Sequence, residues 1–165
     1  MSYLRFAAMI ATSTVVMYGL MYLNTYQFDH VFYSQTRLWM ALLMGAVMAV
    51  IMLGFMWTMY KKRATNFAII AGAVAVFAGS LFLVRSQVLV GDVDYMRAMI
   101  PHHSIAVLTS TNANIRDARV RELADEIIAA QVREIDEMKS LIADLEASPP
   151  PADAPVLEPR PVDGP

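Results

Sequence analysis

The chain has 165 residues, 57% of them hydrophobic, a formal net charge of −2 and no cysteine. Disulfides, thiolate zinc sites and iron–sulfur clusters are therefore excluded, and no basic aromatic patch or glycine-rich phosphate loop suggests nucleic acid or nucleotide. Charge is divided unevenly: residues 1–85 hold six Lys/Arg and one acid, net +5, and residues 86–165 hold seven and fourteen, net −7. Such a split marks two environments rather than one globular domain.

Three uncharged apolar runs, at 6–23, 38–60 and 64–84, each have the roughly 20-residue length that crosses a bilayer. The first is expected to be retained as a span, because Leu23-Asn24-Thr25-Tyr26-Gln27 is a poor cleavage site. Tyr22, Tyr26, Trp39, Trp57 and Tyr60 stand near the ends of the runs, where amphipathic rings settle among headgroups. Lys61, Lys62 and Arg63 make a short basic loop that stays in the cytoplasm, and Arg5 puts the N-terminus on the same side. Alternation then places residues 24–37 and everything beyond residue 86 outside, in the periplasm of a bacterial inner membrane. Arg37 and Arg85 run against this rule and are outvoted. Within the second run Met40, Met44, Met48, Met52 and Met56 recur every fourth residue. A thioether path across the membrane would need facing sulfurs, and the third run has none, so the stripe reads as flexible packing. Ala71, Ala75 and Gly79 form a small-residue face in the third run suited to close helix approach. In the loop at 24–37, Asp29 and His30 are expected to be solvated.

Beyond the third run, Asp92 is placed to cap a helix that continues to Ala113, with Pro101 bending it. The helix carries Asp94-Tyr95-Met96-Arg97-Ala98-Met99-Ile100-Pro101-His102-His103, two thioethers and two imidazoles in eight residues. Thioether sulfur and imidazole nitrogen suit a soft ion such as Cu(I). Spacings of three and four place Met96, Met99 and His103 on one face, whereas His102 lies about 100° round from His103. Asn112-Ala113-Asn114 reads as a turn, and Asp117 starts a second helix. Its apolar positions, Val120, Leu123, Ala124, Ile127, Ile128, Ile135, Met138, Leu141, Ile142 and Leu145, hold a 3–4 alternation that is expected to face the first helix. Gln131 falls in this stripe and Glu134 at its edge, so Gln131, Glu134 and Met138 are expected to meet His103, as ligands or as acceptors fixing its tautomer. A hydrogen-bonded core with no ion predicts the same neighbours. A single hairpin leaves its seam half open, to be covered by a second copy or by packing against the membrane domain; a second copy is expected, completing a four-helix bundle. The organisation is thus all-α: a three-span membrane domain (1–85), an extramembrane helical hairpin (86–147) and a proline-rich, extended or disordered tail (148–165).

The run Met99-Ile100-Pro101-His102-His103-Ser104-Ile105-Ala106, with Glu122-Leu123-Ala124, Gln131, Glu134-Ile135 and Met138, resembles the family catalogued as domain of unknown function 305. Asp29-His30-Val31-Phe32-Tyr33-Ser34-Gln35-Thr36-Arg37 and the Met-rich run after it look like its membrane-attached branch. The resemblance implies a ferritin-like helical bundle, sometimes present as a half that must pair. Some soluble members are similar to periplasmic copper-binding proteins with Met and His ligands. Carried onto this chain, the metal ligands would be Met96, Met99, His102, His103 and Met138. Thr109 stands where the family often has a methionine.

Two functions follow as expectations. The first is a membrane-anchored periplasmic protein that captures or buffers a copper ion, Cu(I), as a homodimer in the bilayer. The second is a structural or interaction subunit of a membrane complex with no bound metal. Ferritin-like oxidases use Glu-x-x-His motifs, and this chain has none, so no enzyme is expected.

Overall fold

The computed structural model describes residues 2–151 and 153–160. Five α-helices and no strand are present among them: α1 (Tyr3–Leu20), α2 (Gln35–Phe55), α3 (Arg63–Ser86), α4 (Asp92–Asn112) and α5 (Ala118–Ala147). Of the expected tail, residues 149–151 and 153–160 carry no helix, while residues 152 and 161–165 lie outside the described residues.

Helices α1, α2 and α3 are each long and apolar enough to cross a membrane. Most of their surface faces outward, and the exposed side chains include Val15, Val50, Ile51, Phe67, Val74 and Phe82. Large apolar faces left open in this way match hydrocarbon, not water. Serine hydroxyls cap two of these helices: Ser2 accepts from Leu4 N–H, and Ser34 accepts from Arg37 N–H. Helix α2 therefore starts ahead of the uncharged run and takes Arg37 into its first turns.

Helix α2 is central, packing against both α1 and α3. Its buried positions are Ala41, Gly45, Ala46, Ala49 and Leu53, mostly small residues that let neighbours come close. The methionines of the expected stripe flank this seam half-buried, and Met52 and Met56 pack on the cluster of Phe6, Leu53 and Tyr60. The small-residue face expected on α3 is not used: Ala71, Ala75 and Gly79 point outward, and Asn66, Ala73 and Ser80 are buried instead. Because α2 already supplies the small residues, α3 needs no matching stripe at the contact.

One end of the membrane domain is locked by polar bonds. Asn66 is fully buried; its Oδ1 accepts from Tyr3 OH (2.8 Å) and its Nδ2 donates to Tyr60 O (2.9 Å). Both halves of the amide are satisfied, as burial requires. At the other end Tyr22 OH accepts from Ser34 N–H (3.1 Å), tying the loop back to the end of α1.

Beyond α3, Gln87 adopts a left-handed conformation (φ 53°) that ends the helix, and α4 begins at Asp92. Gly91, not Asp92, is the N-cap, and Asp92 occupies the first turn. Helix α4 stays helical through the buried Pro101, and α5 begins after Asp117, whose carboxylate accepts from Arg119 N–H. The two helices form an antiparallel hairpin around Met96, Ile100, Ile135 and Ile142. Each of these side chains contributes roughly 1.5–3 kcal/mol by leaving water. An Arg97–Glu146 ion pair joins the helices near their open end.

A Cβ added at Gly45 would collide with Thr14 Oγ1 and lie 3.3 Å from its Cγ2. Gly45→Val is therefore expected to destabilise the membrane domain by about 1–3 kcal/mol. Thermal unfolding in detergent checks this, and Thr14→Ala added to Gly45→Ala should recover most of the loss that Gly45→Ala causes alone.

A candidate soft-metal cleft between α4 and α5

The face of α4 that meets α5 presents Met96, Met99 and His103, and the facing surface of α5 presents Glu134 and Met138. Together with Asp92, Tyr95, Glu137, Leu141 and Leu145 they line an open cleft of about 630 Å³. Three thioethers, one imidazole and three carboxylates thus line the cleft. Met96 is buried, while Met99 and Met138 are half-buried with the cleft before them.

His103 is buried, with 9% of its surface exposed, and both ring nitrogens have partners. Nδ1 lies 3.0 Å from Met99 O, one helical turn back, and Nε2 lies 2.8 Å from Glu134 Oε2. A carbonyl oxygen only accepts, so Nδ1 carries a proton. Nε2 is then the nitrogen left for a second proton or for an ion. An Nδ1–H held by a backbone carbonyl is the arrangement that fixes the ring of a metal-ligating histidine.

The other expected site residues are placed differently. His102 is exposed and lines a separate cleft with Ser34, Thr36, Arg37, Gln87, Tyr95, Ala98 and Met99. Because α4 remains helical across Pro101, the 100° offset between adjacent positions persists, and the two imidazole centroids stay 6.4 Å apart. Gln131 is part-buried on α5 and does not line the cleft. Thr109 Oγ1 donates back to Ile105 O and Ala106 O on its own helix. Among the described residues no three of His, Asp and Glu converge in a metal-holding group. Three of the cleft's side chains, Met96, Met99 and Met138, carry thioethers, the donor type that soft ions prefer.

The sequence reading missed Asp92, Tyr95 and Glu137 as part of the cleft. Their spacing held a signal: Asp92 and Tyr95 stand one turn before Met96 and Met99, and Glu137 neighbours Met138. Asp92, Glu134 and Glu137 give the cleft mouth a negative lining that favours a cation.

Behind the cleft, the opposite face of α4 is clamped to the loop at 24–37. Ser104, fully buried, accepts from Tyr26 N–H (2.7 Å), and its hydroxyl lies 2.9 Å from His30 Nδ1. Gln35 Nε2 donates to Asp94 Oδ2 (3.1 Å), Lys139 Nζ meets Asp29 Oδ2 (2.6 Å), and Phe32 packs on the hairpin core. His30, expected in solvent, is only 7% exposed, because the outer hairpin covers it.

Residues 92–160 match the family described as Domain of unknown function (DUF305). That segment, less than half of the chain, is similar to the DUF305 family. It includes the whole hairpin and every residue that lines the cleft between α4 and α5. A viral relative, "Uncharacterized protein L153" of Acanthamoeba polyphaga mimivirus, is 38% identical over 64 residues. That alignment covers 38% of this chain and 42% of the relative, so the two share well under half of either length. No solved structure matches this chain.

Burial holds the His30 imidazole below its ordinary 6.5; Asp29 and Asp136 pull it up, and Lys139 pushes it further down. A depressed folded value means that the released ring takes a proton more readily than the docked ring. The stability His30 contributes to docking is therefore complete above 6.5 and is lost as pH falls from there toward the lower docked value. The Lys139 ammonium holds the Asp29 carboxyl below its usual 3.8, so that ion pair persists through the same interval. Protection of the 24–34 backbone against hydrogen exchange, measured relative to the intrinsic exchange rate at each pH, should fall several-fold between about pH 7 and about pH 5. In His30→Gln, which does not titrate, that loss of protection should be absent.

Proposed function

We propose that this protein is a membrane-anchored, non-catalytic metal-binding protein whose outer cleft captures or buffers Cu(I). The observation that carries this reading is the convergence of Met96, Met99, Met138 and His103, with Glu134 at hydrogen-bond distance from His103 Nε2. Soft sulfur donors with one imidazole suit Cu(I) or Ag(I), and cysteine, the usual competitor as soft ligand, does not occur in this chain. His103 and the thioethers would hold the ion, Met99 O would orient the ring, and Glu134 would balance charge beside it. His102, on the far side of α4, takes no part in this set.

The basic loop Lys61-Lys62-Arg63 supports a cytoplasmic N-terminus and a periplasmic cleft, in a bacterial plasma membrane. Val120, Leu123, Ile127 and Leu141 form an exposed apolar row on α5, a surface suited to a second hairpin and so to a ferritin-like four-helix bundle. A structural or interaction role without metal has one observation in its favour. Both nitrogens of His103 are satisfied by protein acceptors, so the seam is chemically complete with no ion.

Titration of the full chain in detergent with Cu(I) against a competing chelator separates the readings. Met99→Leu and His103→Ala should each weaken uptake about tenfold or more, Glu134→Gln about tenfold, and His102→Ala not at all. Unchanged uptake in the first two variants would defeat metal capture at this cleft. The mass in detergent should correspond to two 18.3-kDa chains, and Leu123→Glu with Ile127→Glu should reduce it to one. A wild-type protein that runs only as a monomer would refute the paired bundle.

A further inference from the structure

His102 and Arg37, which the metal cleft leaves unused, lie together at the level where α2 begins and α3 ends. With Ser34, Thr36, Gln87 and Tyr95 they line a separate cleft of about 220 Å³. Arg37 is fixed from two sides: its Nη1 donates to Met21 O (2.6 Å), and its guanidinium carbon lies 4.4 Å from the centroid of the Tyr22 ring. A guanidinium has five N–H donors in a rigid fork, and these contacts use one of them. Among the described residues no carboxylate forms an ion pair with Arg37. Asp94, on the facing helix α4, accepts instead from Gln35 Nε2. A half-buried, pre-oriented cation without a carboxylate partner therefore stands beside an exposed imidazole, three hydroxyls and an amide.

We propose that this cleft is a phosphate site at the membrane edge, taking the headgroup phosphate of a bilayer lipid. Planar, bidentate contact from arginine is the preferred way to hold a phosphate, and Thr36 and His102 are placed to add donors to the same group. The lipid source follows from position. Ser34, Thr36 and Arg37 open α2 and Gln87 ends α3, so the cleft sits where helices fit to cross a bilayer leave it. A lipid there has its acyl chains beside the apolar helix surfaces and its phosphate at the level of Arg37. The same site gives a positional reason for an arginine that runs against the charge rule for an outward-facing loop.

Native mass spectrometry of the delipidated full chain in detergent tests this with three probes: phosphatidylglycerol, the matching diacylglycerol without phosphate, and inorganic phosphate. Wild-type protein should retain phosphatidylglycerol and not diacylglycerol. Retention should fall about tenfold in Arg37→Gln and several-fold in His102→Ala, which breaks no hydrogen bond within the fold. Inorganic phosphate binding as tightly as the lipid, and displacing it, would overturn the lipid source in favour of the free ion. Equal retention of diacylglycerol, or unchanged retention in His102→Ala whatever Arg37→Gln does, would overturn the site.

Discussion

The hydroxyl of Ser104 fixes how the outer hairpin sits on the membrane domain. It is wholly buried, takes the Tyr26 N–H and bonds to His30, so one side chain on α4 satisfies two groups of a loop far away in sequence. A helix has one rotational freedom about its axis, and this contact removes it. With Ser104 turned to the loop, His103 must turn to α5, and Met96 and Met99 follow at helical spacing. The cleft and its ligand face are thus set from behind. Lys139, Gln35 and Phe32 reinforce the same contact from other elements, which makes the junction polar at its rim and apolar at its centre.

Much of the outer hairpin was legible in the sequence because it is wet on one side. A helix half in water must alternate, so the 3–4 pattern of α5 marked Ala124, Ile135 and Ile142, which are buried, and Glu134 meets His103; Val120, Leu123, Ile127 and Leu141 of the same pattern stay exposed, and Gln131 falls outside the cleft. The turn after Asn112 and the start after Asp117 were equally plain, since both are written in local chemistry. The apolar helices carry a fainter record. On α3 the alanines and the glycine suggest a face through Ala71, Ala75 and Gly79, but the buried residues are Asn66, Ala73 and Ser80. Two polar residues seven positions either side of Ala73 were the signal for that face, since a polar group gains from being turned away from hydrocarbon.

His30 was illegible for a different reason. Its partner lies 74 residues on, and the loop that carries it has no period to betray a buried side. An Asp-His pair in a polar loop reads as solvated until the hairpin is laid over it. The offset between His102 and His103, by contrast, was readable from helix geometry alone. Pro101 was the one feature that offered to change it, and α4 remains helical there. Two adjacent histidines in one motif consequently serve two different clefts, which motif matching by itself would merge into one ligand set.

The left-handed Gln87 leaves only residues 87–91 between α3 and α4. At the full stretch of a polypeptide, about 3.3–3.6 Å per residue, such a connector reaches less than about 18 Å. The hairpin is therefore on a short leash: even undocked from Ser104 it stays close to the ends of the three apolar helices. Any partner that engages it must come to that same place.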